Sequence, residues 1–153
     1  MTEYPPIEEL IPHAGEMVFL SSVLEHAEDR TVCLVEIDRQ ALFRSEDGSV
    51  PAWIGIEFMA QCIAAHAGLV AQARKTRARV GFLLGSRRVT LHVPRYSRGQ
   101  RLWVTAAQAW GRSAGMVAFD CRIEGEGGGV LAEARLNCFL PDDAEEATVQ
   151  DGS

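Results

Sequence analysis

Glu57 is the one acid in Ile54–Ala73, IGIEFMAQCIAAHAGLVAQA, a stretch with no proline and few polar side chains. A carboxylate inside so apolar a run is costly to leave charged without a partner. Two readings follow. In the first, Glu57 complements the helix dipole near the N-terminus and faces water. In the second it is a general acid/base whose proton affinity is raised by an apolar pocket. Gln61 follows four residues later, about 40° round a helix and so on the same face. Ala64 and Gly68 continue that face, and their small side chains would leave room for a neighbouring chain or a ligand. His66 lies about half a turn away from Glu57 and cannot pair with it on one helix, so it reads as a hydrogen-bonded core histidine.

The remaining reactive residues form no obvious site. Cys33, Cys62, Cys121 and Cys138 are widely separated, with no C-x-x-C pair, and sit in apolar surroundings. They read as reduced core thiols of a cytoplasmic protein. The four histidines (His13, His26, His66, His92) show no metal-ligand spacing with them, so no metal is expected. Residues 74–101 hold nine of the fifteen Lys and Arg and no acid, against a net charge of −6 for the 153-residue chain. A net-acidic protein with one basic segment argues against nucleic-acid binding and leaves a local site for an acidic partner. The alternative is that Arg87, Arg88, Arg95, Arg98 and Arg101 only solvate strands and turns.

These residues must be positioned by one domain, since the length suits a single core. Twenty residues of helix from Ile54 would rise about 30 Å, and a helix apolar on nearly every side must be buried on nearly every side. Pro51 suits its approach, where a missing N–H costs nothing. Period-two segments surround it. Met17 to Leu24 is short and apolar, and Thr31 to Asp38 puts Cys33, Val35 and Ile37 on one face. Val80 to Val93 and Leu102 to Trp110 follow. Val117, Phe119, Cys121 and Ile123 alternate with polar residues, as do Ala132, Ala134, Leu136, Cys138 and Leu140. Turn signals lie at residues 94–99, 111–115 and 124–129. The expected fold is α+β, an antiparallel sheet curled around a central helix, with two sheets paired edge to edge in a dimer. Residues 141–153 carry five acids and no base, and read as a disordered tail on a 1–140 domain. The N-terminus lacks the form of a signal peptide, and no membrane association is expected.

Several segments together resemble a known family. Pro51-Ala-Trp-Ile-Gly-Ile-Glu57 with Met59-Ala-Gln61 is similar to the helix start of hot-dog-fold 3-hydroxyacyl-acyl-carrier-protein dehydratases. Ile11-Pro-His13 to Val23 resembles their first strand, which commonly begins Leu-Pro-His. Gly81 to Val89 and Val93-Pro to Leu102 resemble two later strands. The likeness covers about residues 10 to 140. Its wording is nearest to the dehydratase-like subgroup of aryl polyene pigment clusters.

The resemblance implies elimination of water from a 3-hydroxyacyl thioester carried on the phosphopantetheine of acyl carrier protein, in fatty-acid or polyene biosynthesis, with no other cofactor. Glu57 would work with a histidine contributed from a loop across a dimer interface. One takes the α proton while the other assists departure of the hydroxyl. The family's carbonyl-polarising N–H corresponds to that of Ala52, where Gly is usual. Ungapped counting places the family histidine at Phe43, and residues 41–50 contain none. His13 is the remaining histidine in a family-like motif outside the helix. Ala52, Trp53, Gln61 and Phe43 are then expected to line the acyl pocket, and the five arginines to dock acyl carrier protein. Three functions stay open: an active dehydratase, a weak subunit supporting a paralogous dehydratase in a hetero-oligomer, or an acyl thioesterase. The partner subunit is a second copy or that paralogue.

Overall fold

A computed structural model describes residues 3–76, 82–109 and 114–139. The order of elements is β1 (Ser22–Ala27), β2 (Arg30–Glu36), β3 (Val50–Pro51), α1 (Gly55–Ala73), β4 (Phe82–Leu91), β5 (Arg95–Tyr96), β6 (Arg101–Gln108), β7 (Met116–Glu124) and β8 (Val130–Phe139). Six strands form one antiparallel sheet in the order β1-β2-β6-β7-β8-β4, and β3 pairs with β5 separately. Helix α1 lies across β2, β6 and β7. The expected α+β architecture, a sheet around one long helix, is the one formed.

Alternation in sequence becomes a one-sided core. Val117, Phe119, Cys121 and Ile123 of β7 are buried, as are Ala132, Ala134, Leu136 and Cys138 of β8. Their neighbours Leu102, Val104 and Ala106 of β6 are fully buried. Phe58, Met59 and Cys62 of α1 are fully buried too. Each large side chain so enclosed contributes roughly 1.5–3 kcal/mol over exposure. The four cysteines are free and buried, as the sequence reading required. Burial pushes the Cys138 thiol up to about 11, so it stays protonated and unreactive near neutrality. Among the described residues, the stretch long and apolar enough to cross a membrane is Ala52–Ala73, which is the core helix itself.

The helix start is set by a packing constraint. Tyr96 of β5 is wholly buried, and its hydroxyl donates to the Ala52 carbonyl at 3.1 Å. Gly55 leaves the space this requires, because a Cβ there would collide with the Tyr96 hydroxyl and with Ile123. Pro51, with φ −59° and ψ 140°, leads into a single 3-10 turn at Ala52–Ile54 before α1.

Three local expectations are corrected. The strand placed at Met17 to Leu24 begins only at Ser22; Gly15–Met17 is a 3-10 turn whose following backbone bonds to a side chain of α1 instead of a strand. The turn at residues 94–99 contains β5, paired with β3 through Val50↔Tyr96 and Pro51↔Arg95. The small-residue face at Gly68 is already occupied: a Cβ there would sit 2.5 Å from the Leu10 carbonyl of the same chain. His66 is a core histidine, as expected. Trp110, Leu140, Val80, residues 111–113 and the acidic tail at 141–153 lie outside the described residues.

Candidate functional site

The side chain of Gln61 organises the site. It is fully buried, and its Oε1 accepts the Phe19 N–H at 2.9 Å. Its amide Nε2 donates to the Met17 carbonyl at 2.7 Å and to Glu57 Oε1 at 3.1 Å. One carboxamide therefore ties the N-terminal loop to the first turn of α1. The i, i+4 spacing read from sequence is what lets Gln61 reach Glu57.

That loop carries His13. Leu10 and Ile11 are buried against the core, and the left-handed Gly15 (φ 61°) turns the chain back. The result places His13 Nε2 3.2 Å from Glu57 Oε1, with side-chain exposures of 27% and 38%. The residue that takes up Glu57 thus comes from the same chain, in contrast to the expected histidine from across an interface. Both contacts fall on Oε1 of Glu57. His13 Nδ1 is buried without a hydrogen-bond partner among the described residues. A proton held there would be unsatisfied, which favours the tautomer with the proton on Nε2, aimed at the carboxylate. Glu57 also sits in the first turn of α1, where the dipole favours negative charge.

Aromatic rings pack in series beside the helix start. Trp53 lies one turn before Glu57, 58% exposed, and meets Phe43 edge-on at 5.7 Å. Phe43 contacts Phe19 at 6.5 Å, and Phe19 contacts Phe58 at 5.9 Å. The series runs from the rim to the core. Phe43 is 52% exposed and adopts φ 66°, a left-handed conformation that costs a non-glycine residue about 1 kcal/mol or more. It occupies the ungapped position of the family histidine but supplies no titrating group.

Other expected site residues are placed differently. Ala52 is buried and its N–H donates to the Pro94 carbonyl at 3.0 Å. That N–H is committed to the chain's own backbone, which corrects its assignment as a carbonyl-polarising donor. The five arginines do not form one patch. Arg95 is bonded to Ser49 Oγ at 2.6 Å and to Ser45, clamping the 45–49 loop onto β5. Arg101 pairs with Glu126 at 2.8 Å and lies over Trp103. Arg98 packs against Gly48. Arg87 and Arg88 are on β4, three strands and about 14 Å from β6. A polar groove on the outer sheet face, lined in part by Trp103, has charges paired as Arg30–Glu25 and Arg122–Glu124.

Sequence reasoning missed the backbone groups of Met17 and Phe19 that receive Gln61, and the Tyr96–Ala52 bond. No local signal marks them, since the partners are more than forty positions apart. It also missed a buried chain in which Thr31 Oγ1 lies 2.7 Å from His66 Nδ1 and 2.8 Å from His26 Nδ1. Burial, and then the neighbouring His26, push His66 down to about 4, so it is neutral at physiological pH.

An antiparallel sheet curled around one long helix, with an acid–imidazole pair at the helix start, defines a protein of the hot-dog fold. The chain is 30% identical to a chain of the dehydratase heterocomplex ApeI:P from Xenorhabdus doucetiae, with a TM-score of 0.83 over 96% of this chain and 98% of that one. A hypothetical thioesterase protein with coenzyme A from Streptococcus pneumoniae shares the fold at 11% identity (TM-score 0.61, 78% and 86% covered). So does AziG of S. sahachiroi, at 14% identity (TM-score 0.60, 78% and 90% covered). No curated protein sequence matches the chain. The family model described as ApeP dehydratase matches residues 5–149, and the chain belongs to this ApeP-like family. It is a dehydratase-like protein of the lyase type, as the resemblance to the aryl polyene subgroup implied.

Proposed function

We propose that the chain acts on 3-hydroxyacyl thioesters carried on the phosphopantetheine of acyl carrier protein, in polyene or fatty-acid synthesis in the cytoplasm, as one subunit of a hetero-oligomer with a paralogous dehydratase. Glu57 and His13 are its acid–base pair. The observation that carries this reading is the 3.2 Å contact between His13 Nε2 and Glu57 Oε1 in the first turn of α1. One group removes the α proton as the Cα–Cβ double bond forms. The other protonates the β-hydroxyl as the C–O bond breaks and water leaves. A proton passing between Nε2 and Oε1 resets the pair, so atoms and charge balance over a cycle. Trp53, Phe43 and Met17, all exposed apolar groups, would contact the acyl chain. Arg98 would meet the carrier's acidic surface. Support for a paralogous partner comes from the heterocomplex in which the 30%-identical relative occurs.

The test is turnover of a 3-hydroxyacyl carrier-protein thioester to the enoyl product by the purified subunit, alone and with a dehydratase partner. Glu57→Gln keeps the size and the Gln61 contact but cannot exchange a proton, and should abolish turnover with the fold intact. His13→Asn should lower it by about 10²–10⁴-fold, the usual worth of a positioned acid or base. Unchanged turnover in both variants would refute the assignment.

A second reading, a weakly active supporting subunit, is favoured by Phe43 at the family-histidine position and by the committed Ala52 N–H. On that reading Phe43→His raises turnover above wild type. The thioesterase alternative is supported by fold likeness alone, and release of free acid would reveal it.

A further inference from the structure

Phe19 lies against α1 ahead of the sheet and has no strand partner. The chain joins β2 only from Ser21, whose N–H donates to the Leu34 carbonyl at 2.7 Å, and β1 begins at Ser22. Phe19 is nevertheless 3% exposed, and buried backbone groups must find partners. Two glutamine side chains supply them. Gln61 Oε1 accepts the Phe19 N–H, and Gln40 Nε2 donates to the Phe19 carbonyl at 3.1 Å. A carboxamide carries the donor and acceptor of a peptide group, so the two together replace the missing strand.

Gln40 is itself fixed. It is 4% exposed, its N–H closes the 3-10 turn Ile37–Arg39 on the Ile37 carbonyl at 3.1 Å, and its amide also donates to the Glu36 carbonyl at 2.9 Å. A cap on the end of β2 needs only the Glu36 bond. The bond to Phe19 reaches the acid–base pair through Gln61. A backbone N–H can only donate, so that of Phe19 holds Oε1 of Gln61 and leaves Nε2 for Met17 and Glu57. If the Phe19 segment turned, the carboxamide could flip and set a lone pair against the Glu57 carboxylate. The same segment closes the loop that carries His13. Just beyond Gln40, the ring of Phe43 rests on that of Phe19 at 6.5 Å from a left-handed backbone. Strain of this kind persists where surrounding structure over-determines it, and it clusters at functional sites.

We propose that Gln40 is a positioning residue for the His13–Glu57 pair, acting through the Phe19 peptide groups and the Gln61 carboxamide. This rests on the acid–base reading above and extends it to a residue that touches neither member of the pair. Gln61 holds the segment from the helix side and Gln40 holds it from the end of β2, so the loop bearing His13 has one seat.

The experiment uses the full chain and reads His13 directly. Its Nδ1 is buried and its Nε2 meets Glu57, so neither ring nitrogen is open to an electrophile. Diethyl pyrocarbonate at pH 8, followed by peptide mass spectrometry, should therefore acylate His13 more slowly than the exposed His92. Gln40→Met keeps the side-chain length and removes both donated bonds. His13 should then react at least about tenfold faster, because the loop opens more often. Buried His66 reports global unfolding and should stay unmodified. Cys138→Ala, in β8 four strands from β1, should lower Tm and leave His13 as in wild type. Because Gln40→Met could fail to fold, Gln40→Glu is the second variant. It keeps the shape but can hold one carbonyl at most, and only while protonated, so His13 should again react faster. With a 3-hydroxyacyl carrier-protein thioester, kcat should fall by up to about 10²-fold with KM little changed, the cost of a misplacement of about 1 Å. Wild-type His13 reactivity in both Gln40 variants, or a rise matched by His66 or by Cys138→Ala, would overturn the proposal. So would an unchanged kcat beside a raised KM. Faster His13 modification together with turnover indifferent to Glu57→Gln would support the positioning and remove the acid–base reading, so the two fail separately.

Discussion

Acid should destabilise this protein through a residue inside the core. His66 is 3% exposed, with Nδ1 2.7 Å from Thr31 Oγ1, its ring 5.3 Å from that of His26 and against Phe119. Thr31 is fully buried, and its single hydroxyl proton can serve only one imidazole. At least one of the two histidines must therefore bring its own Nδ1 proton. Burial, then the charge of His26, depress the His66 value from 6.5 to about 4, against smaller opposing effects of Asp29 and the Glu28 backbone. The unfolded chain thus binds this proton more tightly than the folded one. Stability is present in full above pH 6.5 and is lost as pH falls from 6.5 to about 4, with no further loss from this group below that. Over that interval, at about 1.36 kcal/mol per unit, the loss is about 3 kcal/mol. That is a large part of the stability of an ordinary domain. Urea unfolding at fixed ionic strength between pH 7.5 and 4 measures it, with His66→Gln as the non-titrating reference so that the carboxylates cancel. Wild type should lose about 3 kcal/mol more than the variant across this range. Parallel pH profiles for the two proteins, or a His66 ring titrating near 6.5 by NMR, would refute the reasoning.

Two further outcomes follow from packing. Gln61→Ala removes a fully buried amide with bonds to Phe19, Met17 and Glu57, and strands buried backbone groups; a loss of roughly 2–4 kcal/mol is expected, measured by denaturant unfolding. The same change frees the loop bearing His13, so turnover should fall with it, whereas a stability loss without loss of turnover would separate Gln61 from the site. Gly68→Ala drives a methyl into the Leu10 carbonyl, which is backbone and cannot swing aside; roughly 1–3 kcal/mol is lost, read as a lower Tm. An unchanged Tm would show that residues 7–11 do not pack as described.

The core was legible in the sequence because period and burial are coupled locally. A helix apolar all round must be central, and alternating runs such as Val117 to Ile123 must put one face inward. The Glu57–Gln61 pair was legible for the same reason, since the helix fixes their spacing. His66 was readable as a core histidine, though its partners on β1 and β2 were not. What the tertiary structure alone decided are contacts between residues far apart in the chain. His13 and Glu57 are forty-four positions apart, and their meeting depends on the N-terminal loop being pinned by Gln61 and seated at Gly68. Gly68 looked like room for a ligand because a missing side chain does not say what fills the space. The Ala52 N–H looked available because β5, which brings Pro94 to it, is only two residues long and hidden within a turn signal. The arginines looked like one patch because sequence proximity hides that the chain crosses from one edge of the sheet to its middle between Arg88 and Arg101. Local periodicity determines which residues turn inward; which distant side chains then share a site depends on how the whole sheet closes around the helix.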